Sequence, residues 1–450
     1  MFYNKKEYKL FDTDFYQITM AYAYIMDNKA NERTGYEGFV RNIKHYINPE
    51  QNYYKFSGAN EVKEYLRKIR KELKNKEEIK EVFKYLLKDK IKVEGWEVEF
   101  EEKFKELDTN FEFEVVKEGS VVFPFMPVFQ YNGPRWIGQM IETQITNIYN
   151  GKTGFATLIS LKREEKIYMS NHDLAYLENI VFDICGTYYE RYIEDLGTRA
   201  REYKKADIDG ILLEAAYRRA PGKGVADIAS KKALVNGWSG TSNTSIFLEE
   251  NRKYINGTMA HAFVMSYETE LEAFKVWDNL FPNSTILIDT YDTIEATKLL
   301  IKNNIRPDTV RIDSGDFFKI VPEVRKILDN AGWEDVKIFI SGDITPELLT
   351  KLRDYKIPFD KSMAGTYYVY CNELIKKVNS GFVYKIVEYE DKNGVIHYPE
   401  KKAEGKKNHT GLKDIVKIKE NEYKINKKMK NIPLNLEETM NFNKMTKINF

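Results

Sequence analysis

The chain has 450 residues and carries 70 lysines and arginines against 69 aspartates and glutamates. That length holds two or three domains, and the near-zero net charge gives no electrostatic case for nucleic acid. Two cysteines without metal spacing, Cys185 and Cys371, argue against a disulfide framework; the polar start and the absence of any apolar run near the ~20 residues of a membrane span point to a soluble cytoplasmic protein.

Asp12 to Met20 opens a predicted helix, with acids in its first turn and Ile18, Ala21, Tyr22 and Ile25 on one face. Tyr36 to Arg41 reads as a strand ending in an arginine. Val62–Leu73 and Ile79–Leu87 have the apolar spacing of amphipathic helices. Phe111–Val116 and Ser120–Tyr131 read as strands, and Pro124 and Pro127 mark the second as an edge strand or bulged. Ile137 to Ile148 predicts a helix. Another, Leu174–Ile184, leads to Asp195-Leu-Gly-Thr-Arg199. Arg218 to Gly224 carries Pro-Gly-Lys-Gly; without a full phosphate-loop pattern it reads as an ordinary polar turn.

From Thr285 to Ile344 one pattern repeats three times. An apolar β run ends at an acid (Asp289, Asp313 and Asp343), and a helical pattern follows. Such repeats predict parallel βα units, whose ligands lie at the C-terminal edge of the sheet. Three carboxylates there suit sugar hydroxyls or a magnesium-bound polyphosphate; any one alone is as readily a helix cap. Ala364-Gly-Thr366 closes another short segment, Gly381–Tyr389 is strand-like, and the tail from Lys401 is lysine-rich and irregular. Of five histidines, His261 stands out: it follows Gly-Thr-Met-Ala just ahead of the acidic strand ends. An imidazole there suits a general base or a nucleophile toward a phosphoryl group. The other four read as structural.

The motifs, taken in order, resemble the nicotinate phosphoribosyltransferase family. They are Thr13-Asp-Phe-Tyr-Gln-Ile-Thr-Met20, Glu118-Gly-Ser-Val-Val-Phe-Pro124 with Glu142-Thr143, Gly197-Thr-Arg199, Gly240-Thr-Ser-Asn243, Gly257-Thr-Met-Ala-His261, Asp289-Thr-Tyr-Asp292, Arg311-Ile-Asp-Ser-Gly-Asp316, Ser341-Gly-Asp343, Gly365-Thr366 and Tyr384-Lys-Ile-Val-Glu388. The resemblance implies an irregular TIM-like (β/α) barrel over residues 136–370, an N-terminal α+β domain over 1–135, and C-terminal segments, 371–450, packing on that domain. It implies a homodimer with shared active sites. The implied reaction joins nicotinate to phosphoribosyl pyrophosphate, giving nicotinate mononucleotide and pyrophosphate, with ATP hydrolysed through a phosphohistidine at His261 and Mg²⁺ on the pyrophosphate. No metal-ligand set of the chain's own is expected.

By the same resemblance, Asp313 holds the ribose hydroxyls beside Asp289. Arg41, Gly342, Asp343, Gly365, Thr366 and Lys402 take phosphate groups. Tyr16, from a partner subunit, and Arg311 flank the pyridine ring, Arg199 faces its carboxylate or the phosphate, and Thr241 and Ser242 border the base. Three departures bear on this. The aromatic before Gly-Thr-Arg is Leu196 here, the usual Arg-Arg reads Arg199-Ala-Arg201, and the usual Pro-Gly-Arg-Lys reads His409-Thr-Gly-Leu-Lys413.

The related nicotinamide enzymes carry an aspartate where Ser242 stands. A carboxylate would repel nicotinate and a hydroxyl can donate to it, so Ser242 favours the acid. The alternatives are a nicotinamide phosphoribosyltransferase and a catalytically silent nucleotide-binding barrel. A quinolinate-using enzyme is disfavoured by the motif order.

Overall fold

The computed structural model describes residues 9–41, 53–249, 255–400, 410–419, 422–427 and 446–447. Two six-stranded sheets organise it. The first is antiparallel, in the order Ile396–His397, Phe382–Glu390, Arg33–Val40, Phe129–Pro134, Glu112–Val115, Thr446–Lys447. Arg33–Val40 lies inside it, and every residue after Arg33 is buried. Tyr36 packs on Tyr384 and Tyr131, with ring centroids 5.0 and 5.9 Å apart. The strand delivers Arg41 at its C-terminal end.

The expected strand Ser120–Tyr131 breaks in two. Val121–Val122 pairs with Tyr54–Lys55, and only Phe129–Pro134 joins the large sheet. Between them lie Pro124 and Pro127, which cannot donate to a ladder, and Phe125, whose φ is +63°. The helical patterns are met by Ala59–Glu72, Lys76–Leu87 and Asn171–Val181. The helix expected over Ile137–Ile148 is two, Arg135–Met140 and Glu142–Arg163.

The second sheet is wholly parallel, in the order Gly240–Thr241, Ile211–Glu214, Lys361–Ala364, Lys337–Ile340, Thr309–Ile312, Thr285–Leu287. Its inner strand Thr309–Ile312, Thr-Val-Arg-Ile, is buried at all four positions, as expected of strands covered on both faces. Asp292, Asp316 and Thr345 cap the helices Thr293–Lys302, Phe317–Asn330 and Pro346–Asp354. The capping role therefore falls to these residues, and Asp289, Asp313 and Asp343 stand outside it.

The parallel strands form a curled half-barrel. Among the described residues its two edge strands do not pair with each other. Residues 255–260 span the gap instead: Ile255 bridges Thr241 on one side, and the Thr258 hydroxyl donates to the Thr285 carbonyl on the other. No described helix is long and apolar enough to cross a membrane.

Candidate active site

The spanning segment is the mount of His261. Lys90 donates to the Ile255 carbonyl at 2.7 Å, Thr19 to that of Thr258 at 3.1 Å, and Arg311 to that of Met259 at 3.3 Å. The Ala260 N–H points at the Met20 sulfur, 3.3 Å away. Gly257 is required by closeness, since a Cβ there would lie 2.6 Å from the Tyr16 nitrogen. The short helix His261–Val264 follows, and the imidazole faces the strand ends.

Two of the predicted acids meet this ring. His261 Nε2 stands 3.7 Å from Asp313 Oδ2 and 3.9 Å from Asp289 Oδ1, while Nδ1 is 3.2 Å from the Thr290 hydroxyl. Arg311 locks Asp313 in place: Nη2 donates to Asp313 Oδ1 at 2.8 Å and Nε to Ser341 Oγ at 2.9 Å, and Ser341 in turn donates to Asp313 at 2.6 Å. Burial works against a charge on Asp313, yet Arg311, then His261 and Ser341, hold its carboxyl well below the usual range. Arg311, expected to flank the pyridine ring, is thus engaged by Asp313, Ser341 and the Met259 carbonyl. Asp289 accepts from Ser314 through Oδ2, and its buried Oδ1 has no hydrogen-bond partner among the described residues.

Opposite the acids is a cationic group in which the expected Arg41 is joined by two arginines that sequence reasoning missed. Strand Ile211–Glu214 is followed by Arg218 and Arg219. Arg218 Nη1 donates to Glu142 Oε1 at 2.8 Å, and its guanidinium carbon lies 5.7 Å from the Tyr16 ring centre. Burial disfavours its charge, but Tyr16, Glu142, Asp14 and Asp313 reverse that and tighten its hold on the proton. Arg219, whose Nη1 donates to the Phe382 carbonyl, is pushed down to about 9 by burial and then by the charges of Arg218 and Arg41. Arg41 is lowered by burial and by Arg218, and lies within the fields of Asp343 and Asp313. Three guanidiniums crowded in this way are in want of an anion. The readable signal was an arginine pair just past an apolar run that ends, like the other three, in an acid.

Arg199 is not part of this group. Gly197-Thr-Arg199 lies inside the helix Thr187–Ala206, where Arg199 pairs with Glu202 at 2.9 Å and Glu347 at 3.5 Å. An adjacent arginine pair does reach the strand ends, as Arg218-Arg219. Tyr16, expected from a partner subunit, lies beside Arg218 of its own chain, and its hydroxyl is buried without a hydrogen-bond partner among the described residues.

The Ser242 hydroxyl donates to Asp14 Oδ1, so its one proton is already committed; Asp14 Oδ2 accepts from Thr143 at 2.9 Å. Burial raises the Asp14 carboxyl, and Ser242 partly offsets this. Thr241 is likewise turned inward and donates to Glu214, a carboxyl that burial pushes up to about 7. Gly342, with φ +107°, brings its backbone against the Asp313 carbonyl, and exposed Asp343 follows it. Gly365 lies so near the Ala215 carbonyl that a Cβ would stand 2.5 Å away, and Thr366 begins the short helix beyond. Lys402 lies outside the described residues. The Pro-Gly-Lys-Gly turn is no phosphate loop: Asp183 accepts from the Gly224 and Val225 N–H groups at 3.1 and 3.2 Å and fills that helix start.

The site thus has two poles. One presents Asp289, Asp313 and Asp343, hard oxygen donors of the type Mg²⁺ prefers, with Asp289 Oδ1 unsatisfied among the described residues. The other presents Arg41, Arg218 and Arg219. His261 lies beside the acids.

Residues 11–150 match the nicotinate phosphoribosyltransferase N-terminal domain family. The nicotinate phosphoribosyltransferase of Bacillus subtilis is 27% identical over 403 residues, covering 85% of this chain and 68% of that one. That of Caenorhabditis elegans is 26% identical over 445 residues, covering 83% and 68%. The crystal structure of nicotinate phosphoribosyltransferase from Porphyromonas gingivalis superposes with a TM-score of 0.59 at 16% identity, over 88% of this chain and 95% of that one. The Vibrio cholerae enzyme gives 0.54 at 16%, over 84% and 86%; at such identities these two establish a shared fold. The chain is thus similar over most of its length to the nicotinate phosphoribosyltransferases, and within it residues 11–150 match the N-terminal domain of that family.

Proposed function

We propose that this chain is a nicotinate phosphoribosyltransferase of NAD salvage, forming nicotinate mononucleotide and pyrophosphate from nicotinate and phosphoribosyl pyrophosphate. The observation that carries this reading is the facing of Arg41, Arg218 and Arg219 toward Asp313 and Asp343 across the strand ends. A substrate with a polyanionic end and a hydroxyl-rich sugar fits such a pair of poles.

Cleavage of the bond from ribose C1 to pyrophosphate builds positive charge on the sugar. Asp313, kept ionised by Arg311, accepts hydrogen bonds from the ribose hydroxyls and lowers the energy of that charge. Arg41 and Arg219 stabilise the departing pyrophosphate, and Gly342 and Gly365 let the chain approach it closely. Tyr16 and Arg218 border the pyridine ring, with Arg218 on its carboxylate. The unsatisfied Oδ1 of Asp289 and the exposed carboxylate of Asp343 would hold Mg²⁺ together with the substrate phosphates, and the ion would supply further charge neutralisation.

His261 is the acceptor of the ATP γ-phosphoryl group: an N–P bond forms as the bond from the γ-phosphorus to the bridging oxygen breaks, and ADP leaves. Thr290 on Nδ1 orients the ring, which leaves Nε2 to attack with Asp289 and Asp313 beside it. The enzyme acts in the cytoplasm as a homodimer. The divisions 1–135, 136–370 and 371–450 remain our domain boundaries.

One observation favours nicotinamide: buried Asp14 beside Ser242 is an acceptor that would suit a carboxamide NH₂. Arg218 beside Tyr16 favours the acid. A mass-spectrometric product assay with each base, phosphoribosyl pyrophosphate and Mg²⁺, with and without ATP, decides between them. Nicotinate mononucleotide is the expected product, formed with the higher kcat/KM. Preference for nicotinamide corrects the substrate, and no product from either base sinks the proposal.

A further inference from the structure

Away from the strand ends, Glu268, Asp391 and His397 each bring a ligand atom to within 4.8 Å of the others. They come from different layers. Glu268 lies in the loop between helices His261–Val264 and Glu270–Leu280 of the half-barrel. Asp391 and His397 lie on the hairpin at the edge of the antiparallel sheet.

The hairpin pair is already set in position. Asp391 Oδ1 accepts from the N–H groups of Asn393 and Val395, both at 2.9 Å, which directs Oδ2 toward His397 Nε2 at 3.0 Å. The Tyr389 ring stacks on the imidazole, with centroids 4.7 Å apart and planes 11° from parallel. The guanidinium carbon of Arg135 lies 4.5 Å from the Tyr389 ring centre, and Arg135 is paired with Glu32. An ordinary surface ion pair accounts for His397 with Asp391. It does not account for a second carboxylate, from another layer, converging on the same two atoms.

We propose that Glu268, Asp391 and His397 bind one divalent transition-metal ion of the zinc class, fastening the loop behind His261 to the antiparallel sheet. One imidazole and two carboxylates, with water in a fourth position, suit Zn²⁺ better than the all-oxygen preference of Mg²⁺ or Ca²⁺. Tetrahedral bonds of ~2.0 Å hold ligand atoms roughly 3.3 Å apart. Asp391 and His397 already meet that spacing, and exposed Glu268 closes by about 1–2 Å. The amides on Asp391 and the ring on His397 are the outer support that metal ligands need.

The test titrates Zn²⁺ calorimetrically into chelator-stripped full-length chain, with Mg²⁺ in large excess to occupy sites made of oxygen alone. One equivalent binds, and His397→Gln and Glu268→Gln each weaken it about tenfold or more. Co²⁺ in place of Zn²⁺ gives visible absorption that His397→Gln abolishes. Glu268 is exposed, so its variant folds normally, and circular dichroism checks both. Failure of the wild type to take up Zn²⁺, or binding in both variants as tight as in the wild type, overturns the proposal.

Discussion

Arg218 donates to Glu142 at 2.8 Å beside Tyr16, whereas Arg199 donates to Glu202 and Glu347 on the outside of the half-barrel. Arg218→Ala should therefore lower kcat/KM for nicotinate about 10–100-fold, or roughly 1.4–2.8 kcal/mol of lost transition-state stabilisation. Arg199→Ala should stay within about threefold, as exposed ion pairs contribute little. Steady-state kinetics of the two variants, with Arg218→Lys as the charge-preserving control, check this; a loss at Arg199 equal to that at Arg218 would return Arg199 to the site.

Asp313 titrates below its unfolded value, despite burial, because Arg311, His261 and Ser341 favour its charge. A depressed carboxyl stabilises the fold above the unfolded pKa of about 3.9 and loses that contribution as pH falls toward the folded value. Asp313→Asn removes it. The stability difference between wild type and variant in urea should thus be larger at pH ~7 than at pH ~3. Activity at neutral pH should drop about 100-fold or more, the scale for loss of a charge aimed at the transition state.

Glu270 behaves in the opposite sense. Burial, then Asp289 and Asp292, push its carboxyl up to about 7, and its Oε1 is buried without a hydrogen-bond partner among the described residues. The unfolded chain ionises it at about 4.3, so stability falls as pH rises from there through about 7. Glu270→Gln removes that slope. Chemical denaturation should find the variant gaining on the wild type between pH ~4.5 and ~8, and a gain independent of pH would refute the assignment.

Gly342 has φ +107°, and a Cβ there would overlap the Asp313 carbonyl. Gly342→Ala should cost about 1–3 kcal/mol in stability and displace Asp313, with a matching loss of activity. Gly119→Ala is the control: its φ is +75°, but nothing lies within 4 Å of the added carbon. It should lose some stability from backbone strain while retaining activity. Melting temperatures and kcat of both variants provide the comparison.

The acids at Asp289, Asp313 and Asp343 were legible because a buried parallel strand is a short apolar run and the residue past its end faces the ligand edge. Arg199 was misplaced because Gly-Thr-Arg is too short a motif to outweigh its surroundings. Tyr189, Tyr192, Leu196, Ala200 and Tyr203 are buried at helical spacing through that stretch, and this period was the stronger signal. The engagement of Ser242 by Asp14 could not be read, since the two are 228 positions apart and meet only through tertiary packing. Arg218 and Arg219 looked like part of a polar turn; what distinguishes them is the strand before them, which aims the turn into the site.

Much of the seam carrying His261 is held by side chains of Thr19, Met20, Lys90 and Arg311, where neighbouring strands are held by ladders. Such fastenings come from several separate elements and break one at a time. In hydrogen–deuterium exchange this stretch should open locally, well before Thr309–Ile312, whose ladder opens only with the domain. The chain thus keeps the His261 imidazole on a readily loosened edge of a rigid sheet, where the proposed gain of a bulky, charged group can be met by a local shift of the mount rather than of the strands.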